Sequence, residues 1–216
     1  MPLRIDLHVH TVHSVDSFIT AKELAFFMKK RGLDGVAITD HDTVSGFREF
    51  RKKLDMLLIP GVEVSTGQGH VLGIGVERMV EAGLSFAETI DLIHDAGGLA
   101  IVAHPTAFFK GIPEERLDEG FDGMEVVNAS AVPFHYSVRK NRMLAVKLDL
   151  PQTGGSDAHY GPEVGMGYSL VDADGEVDEV IGAIRRGAVK PFGRGIPWST
   201  RVKRGFYNFK RLVGKL

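Results

Sequence analysis

Apolar runs and amphipathic segments alternate along most of the chain. Leu3–Val9 predicts a strand. Thr20 precedes Glu23 by three residues, the spacing of a capping box. The helix it opens covers Ala21–Arg31 and stops at Gly32. Gly35–Thr39 predicts a strand and Val44–Leu54 a helix. Met56–Val64 and His70–Val76 predict two apolar strands, separated by the glycine-containing turn Thr66–Gly69. Ser85 caps a helix through Ala96 that closes at Gly97-Gly98. Leu99–Ala103 predicts a strand, Pro113–Glu119 a short helix and Gly123–Val127 a strand. Pro133–Leu148 predicts a helix with a basic face. Gln152–Gly154 starts a strand that ends in a Ser-Asp-Ala-His turn, and Val177–Gly187 is the last clear helix.

Such alternation predicts an α/β fold, with a parallel sheet covered by helices. About seven βα units are too many for a small open sheet and come close to a closed barrel. Residues 1–192 are expected to form that single domain, and the weakly periodic 193–216 to be an extension of it. A length of 216 residues is enough for one full hydrophobic core. The chain has no cysteine, which excludes disulfides and thiolate metal ligands. It also fits a reducing cytoplasm. Met1–His10 turns polar at once, unlike a secretory leader, and no apolar run reaches 18 residues, so no membrane contact is expected. Net charge is −2, but no acidic residue follows Glu179 while ten lysines and arginines do. The extension is therefore basic.

Four segments carry the chemistry: Asp6-Leu-His-Val-His10, Thr39-Asp-His-Asp42, Ala103-His-Pro105 and Gly155-Ser-Asp-Ala-His159. His8 and His10 are two apart on a strand and share a face, and Asp157 and His159 repeat the spacing. In a closed barrel these pairs would meet. The candidate metal ligands are His8, His10, Asp16, His41, Glu63, His70, His104, Asp157 and His159, which include six of the nine histidines. Glu63 stands in an apolar run, where an unpaired carboxylate would be costly. Asp40 is expected behind the ligands, holding an imidazole in its working tautomer. Asp42 is expected as an acid at the N-terminus of the next helix. His13, His94 and His135 are left out.

Nine N/O donors exceed one ion and suit two or three. Clustered divalent ions suit phosphate ester hydrolysis, where charge stabilisation carries most of the catalysis. No GxSxG, HExxH, P-loop or dinucleotide fingerprint is present.

These segments resemble the PHP (polymerase and histidinol phosphatase) superfamily. Asp6-Leu-His-Val-His-Thr11 with Ser14 and Asp16 is similar to its first motif and Ala37-Ile-Thr-Asp-His-Asp42 to the second. Val102-Ala-His-Pro105 is similar to the third and Gly154-Gly-Ser-Asp-Ala-His159 to the fourth. Gly61-Val-Glu-Val64 and His70-Val-Leu-Gly-Ile-Gly75 match elements between them. The resemblance covers residues 3 to about 187. It implies a distorted (β/α)7, TIM-like barrel with a trinuclear site and phosphoesterase activity. On that pattern His8, His10, Glu63 and Asp157 hold one ion. Asp16, His41 and His159 hold a second, and Glu63, His70 and His104 a third. Only 33 residues separate His70 from His104, too few for the inserted domain of some relatives.

The expected mechanism is a metal-bound hydroxide, held around Glu63, Asp157 and His159, attacking phosphorus in line. Zn, Mn and Fe all suit mixed His/carboxylate donors. Arg139, Lys140 and Arg142 are candidate substrate contacts. The expected substrate is a nucleotide or other small phosphomonoester. The alternative is a short oligonucleotide cut by a phosphodiesterase or exonuclease, favoured by the basic segment with Trp198, Phe206, Tyr207 and Phe209. A non-catalytic metal-binding scaffold is a third option. The sequence leaves the oligomeric state open.

Overall fold

A computed structural model describes residues 1–106, 112, 114–117, 120–212 and 214. Its strands are β1 (Leu3–Val9), β2 (Gly35–Ile38), β3 (Leu57–Ser65), β4 (His70–Ile74), β5 (Leu99–Val102), β6 (Gly123–Asn128), β7 (Gln152–Gly155), β8 (Gly167–Val171) and β9 (Val189–Gly193). Its helices are α1 (Ala21–Arg31), α2 (Ser45–Phe50), α3 (Phe86–Asp95), α4 (Phe134–Lys147), α5 (Val177–Arg185) and α6 (Trp198–Leu212). The short helix expected over Pro113–Glu119 is a 3-10 turn at Glu114–Arg116, and Pro113, Asp118 and Glu119 lie outside the described residues. Among the described residues no helix is long and apolar enough to cross a membrane.

All nine strands join one sheet in the order β7-β6-β5-β4-β3-β2-β1-β8-β9. The sheet curls until the end of β7 returns to β1. There Asp157 N–H donates to His8 O at 2.8 Å and His10 N–H to Ala158 O at 3.0 Å. Strands β1 to β7 thus form a nearly closed, distorted barrel, and β8 and β9 extend it beyond β1.

The sheet is mixed rather than parallel throughout. β4 runs antiparallel to both β3 and β5, and β8 is antiparallel to β1 and β9. Only the turn Thr66–Gly69 joins β3 to β4. A parallel connection needs a crossover of about a dozen residues, so four permit only a hairpin. Thr66 locks that turn: its N–H and its hydroxyl both donate to Gly69 O, at 2.9 and 2.7 Å.

Helix ends follow the sequence closely. Thr20 and Ser85 form capping boxes with Glu23 and Glu88. Gly32 closes α1 at φ 62°, a left-handed conformation that costs glycine little. Three large apolar clusters fill the described part of the molecule, beside a small one of Ala129, Met166 and Ile196. One joins Ile5, Leu7, Ile59, Leu72 and Ile101 to Val180, Ala183 and Ile184 of α5. α1 and α2 pack outside through Leu24, Met28, Phe47 and Phe50. α3 and α4 contribute Phe86, Ile90, Ile93 and Leu144 to the third.

Closure of the barrel depends on a missing side chain. A Cβ on Gly155 would lie 2.4 Å from His8 Cβ and 2.8 Å from His8 N. Gly155→Ala should therefore force β7 off β1 at a cost of about 2–3 kcal/mol, or roughly 4–12 °C in thermal midpoint for a chain of this size. An unchanged midpoint in a thermal melt would show that β7 does not close on β1 this tightly.

Candidate metal centre

The barrel rim gathers the predicted donors from six strand ends and one loop. His8 lies in β1 and His10 just beyond it, and Asp16 sits in the following loop. His41 follows β2 and pairs by a backbone bridge with Glu63 of β3. His104 follows β5, and Asp157 and His159 follow β7. His70 is the first residue of β4. It reaches the same rim because β4 is reversed, so its N-terminal end lies beside the C-terminal ends of β3 and β5.

Five imidazoles surround the buried Glu63. Its Oε2 lies 3.2 Å from His8 Nε2, 3.1 Å from His10 Nε2 and 3.3 Å from His41 Nδ1. Its Oε1 lies 2.7 Å from His70 Nδ1 and 3.0 Å from His104 Nε2. Asp157 Oδ1 is 3.4 Å from His10 Nε2, 3.5 Å from His159 Nδ1 and 3.6 Å from His8 Nε2. Asp16 Oδ2 joins from the loop, 3.0 Å from His159 Nε2 and 3.7 Å from His41 Nε2. All nine predicted donors are thus connected in one cluster. Three subsets have mutually close donor atoms: His8 with His10 and Glu63, His10 with His41 and His159, and His41 with Glu63 and His70.

This donor set suits divalent cations better than hydrogen bonds. A carboxylate offers about four lone-pair sites, and five ring nitrogens compete for them. His8 Nε2 and His10 Nε2 are only 3.1 Å apart, too close for two protons aimed at the same oxygen. His41 Nδ1 is buried and near Glu63 but misaligned for a hydrogen bond, and His104 Nδ1 and Asp16 Oδ1 are buried without partners. Three rings have their outer nitrogen engaged. His8 Nδ1 meets Glu125 Oε1 at 2.9 Å, His10 Nδ1 meets Ser14 Oγ at 3.3 Å, and His159 Nδ1 meets Asp157 O at 3.0 Å. In the neutral ring each such contact puts the proton on Nδ1 and leaves the Nε2 lone pair facing the centre.

Charge follows the geometry. Burial lowers the pKa of His10, but hydrogen bonds to Asp157 and Glu63 outweigh it and bring it to about 9. For His8 burial is again opposed, by Glu125, Glu63 and Asp157, and the pKa ends well above its ordinary value. His104 is raised by Glu63 against its burial. Burial favours neutral Glu63 and Asp157, yet the imidazoles led by His8 hold both well below the carboxylate range. His41 differs: burial pushes it down to about 4, and the attraction of Glu63 does not make up the loss.

Asp40 stands behind the donors as expected, but reaches an imidazole through Ser14 rather than directly. It accepts from Thr11 N–H at 2.6 Å, Thr11 hydroxyl at 2.8 Å and Ser14 hydroxyl at 3.0 Å, and Ser14 is what meets His10. Asp42 does not serve α2, whose N-cap Val44 makes no side-chain bond. Its carboxylate accepts from Ser65 N–H at 2.7 Å and ties down the end of β3. Glu125 of β6, which the sequence reading missed, meets the His8 ring directly. Its Oε2 also accepts from His104 N–H and from Asn128 Nδ2, both at 2.9 Å. The signal was available, because Glu125 interrupts an apolar strand just as Glu63 does. His104 at φ 30° and Asp157 at φ 53° hold conformations that side chains rarely adopt, as residues at functional sites often do.

Arg139 and Arg142 lie elsewhere. They line a groove on one face of α4 with His135, Val138, Met143 and Val146, and Lys140 is exposed on the same helix. Of the other histidines, His13 pairs with Glu49 at 3.0 Å and His94 with Asp122 at 2.7 Å.

With this geometry in view, the comparisons with known proteins are direct. The model of the PHP domain matches residues 6–136, and that of a PHP-associated region matches 136–189. The chain belongs to the PHP family. It is 33% identical over 141 residues to an uncharacterised protein of Methanocaldococcus jannaschii, covering 59% of this chain and 82% of that one. It is 34% identical over 85 residues to a 5'-3' exoribonuclease of Haemophilus influenzae, covering 36% of this chain and 31% of that enzyme. A crystal structure of a two-domain Bacteroides vulgatus protein, described as containing a predicted PHP-like metal-dependent phosphoesterase, superposes with a TM-score of 0.75. That match has 18% identity and covers 90% of this chain and 65% of the other, and it shows a shared fold.

Two outcomes follow. Glu125→Gln keeps the shape but replaces the acceptor that orients His8, so it should weaken metal retention about 10–100-fold, read as ion content after dialysis against a chelator. Retention equal to wild type would remove Glu125 from the site. In the metal-free protein the raised pKa of His10 stabilises the fold fully below pH 6.5, and that stability is lost as pH rises through about 9. Melting of the chelated protein should therefore drop between pH 7 and 10. Metal-loaded protein, whose imidazoles are already deprotonated, should lack this step.

Proposed function

We infer that this chain is a metal-dependent phosphoesterase that hydrolyses a nucleotide or other small phosphate ester. The convergence of five imidazoles and Asp157 around one buried carboxylate carries the inference. PHP family membership and the exoribonuclease relative support it. The proposed ligand groups are His8, His10, Glu63 and Asp157; Asp16, His41 and His159; and Glu63, His70 and His104. Zn, Mn and Fe remain the proposed ions, and the cytoplasm the proposed compartment.

Divalent ions bound there supply Lewis acidity toward phosphoryl oxygens and, from water, a nucleophile at neutral pH. The protein supplies position. Glu63 has one oxygen toward His8, His10 and His41 and the other toward His70 and His104, so it joins two parts of the centre. Glu125 fixes the His8 ring, and Asp40 acts on His10 through Ser14. His8, His10 and Glu63 are buried, whereas Asp16 is 45% exposed, so substrate enters from the Asp16 side.

One observation favours the diesterase alternative. α6 docks beside that entrance. Arg204 Nη1 meets Glu163 Oε2 at 3.1 Å, and the same oxygen accepts from His159 N–H at 3.0 Å. The Tyr207 ring packs 5.2 Å from Tyr160 and 6.3 Å from Phe18. α6 thus places Arg204 and Tyr207 beside the mouth, and a cation next to an aromatic ring is what a single strand would need.

His10→Ala and Asp157→Ala should each lower turnover more than about a hundredfold while the purified variant stays folded, since loss of an orienting neighbour alone costs 10–100-fold. The assay is a panel of p-nitrophenyl phosphate, nucleoside monophosphates and 5'-phosphorylated oligonucleotides on metal-reconstituted protein. Full activity in either variant would sink the site assignment.

A further inference from the structure

A second cleft, of about 500 Å³, opens where the end of α1, the start of β1 and the strands β8 and β9 meet. Arg4, Lys30, Arg31 and Arg194 line it together with Tyr168 and Phe192. Among the described residues, none of the nine proposed metal ligands lines it, and neither does any carboxylate. Of the two acids near these cations in sequence, Asp34 accepts from the backbone N–H of Arg4 at 2.7 Å, and Asp6 accepts from Ser156 and from Gly165 N–H. Among the described residues, none of the four cations is in a salt bridge.

Four like charges in one cleft are costly without a counter-ion. Arg31 shows this directly, because burial and the nearby Arg194 both depress its pKa. Arg4 Nε and Arg31 Nε are buried without a hydrogen-bond partner. Arg31 Nη2 donates to Pro162 O at 3.1 Å, which satisfies a hydrogen bond but leaves its charge unneutralised. The aromatic wall is also arranged. The Arg4 guanidinium lies 4.3 Å over the Tyr168 ring, and Phe192 stacks on Tyr168 at 6.0 Å and 18°. Phe192 stays 42% exposed.

We propose that this cleft is a binding site for a nucleotide, with its phosphates held by Arg4, Lys30, Arg31 and Arg194 and its base against Phe192. Arginine forks match phosphoryl oxygens two at a time, and three of them with a lysine suit a di- or triphosphate better than a single carboxylate. The volume suits a small molecule rather than a buried ion. The site does not depend on the metal centre, so the two can be tested separately.

The test is calorimetric titration of the chelated full chain with ADP, inorganic pyrophosphate and adenosine, with EDTA present so that the metal centre offers no ions to phosphate. ADP should bind, and adenosine should be at least about tenfold weaker. Arg194→Ser and Lys30→Ser, both exposed positions, should each weaken ADP by about tenfold without lowering the melting midpoint of the ligand-free protein. Phe192→Ser should weaken ADP and leave pyrophosphate unaffected. No binding of ADP at about 1 mM, or ADP binding untouched by the Arg194→Ser/Lys30→Ser pair, overturns the site. Pyrophosphate binding as tightly as ADP overturns the nucleotide assignment. Phosphoesterase activity of the metal-loaded enzyme is untouched by either failure, and a wild type inactive on every ester would leave this binding result standing.

Discussion

The burial of the Glu63 charge is the constraint on which the rest of the rim depends. A carboxylate at 1% exposure is tolerable only when surrounded by cations or strong donors. Glu63 lies in β3, and its neighbours β2 and β4 supply His41 and His70. β5 adds His104, and β1 adds His8 and His10. No flat sheet could bring β1 and β5 to one oxygen pair, since three strands separate them in the hydrogen-bonding order. Curvature is therefore a requirement of the site. The return of β7 to β1 completes it with Asp157, which needs the bare backbone of Gly155 to approach His8.

Topology explains why a strand that begins with histidine contributes like strands that end with one. In a parallel barrel the C-terminal ends share a face, and a residue at a strand's start lies at the opposite end. Reversal of β4 moves His70 to the active rim without lengthening any loop. The same hairpin keeps His70 and Glu63 only seven residues apart in sequence, so their 2.7 Å contact closes a short loop and carries little entropic cost.

Much of this was legible in the chain. Caps at Thr20 and Ser85, the stop at Gly32 and the bounds of β1 and α1 follow from local chemistry, which few distant contacts override. The convergence of the nine candidate donors was legible because histidines and acids at or just after the ends of apolar strands have few structural uses. β8 and β9 were harder. β8 buries alternate residues only, and β9 carries Lys190 and Pro191, so neither forms an apolar run. α6 was obscured for another reason. Its regular apolar residues Trp198, Val202, Phe206 and Phe209 are exposed, while Arg201 and Arg204 face the protein. Pattern reasoning assumes the opposite orientation. Asp42 was misplaced, and the Ser14 link between Asp40 and His10 was missed, because a carboxylate's partner depends on loop geometry that spacing does not encode. Glu125 was missed although the argument applied to Glu63 covers it equally.

The loop between β7 and β8 links these features. Asp157 and His159 at its start face the candidate metal centre. Glu163 then receives the N–H groups of His159 and Tyr160 and the Arg204 guanidinium. Burial raises the pKa of Glu163, and Arg204 with the His159 N–H acts against that shift. From the other side Arg31 donates to Pro162 O at 3.1 Å, and Gly165 N–H donates to Asp6 Oδ2 at 2.8 Å. Asp6 in turn holds Ser156 by its N–H and its hydroxyl. The segment that presents two donors to the rim is thus clamped from α6, α1 and β1 at once. A loop so held loses little entropy when ions or substrate arrive, which is the condition for a preorganised centre.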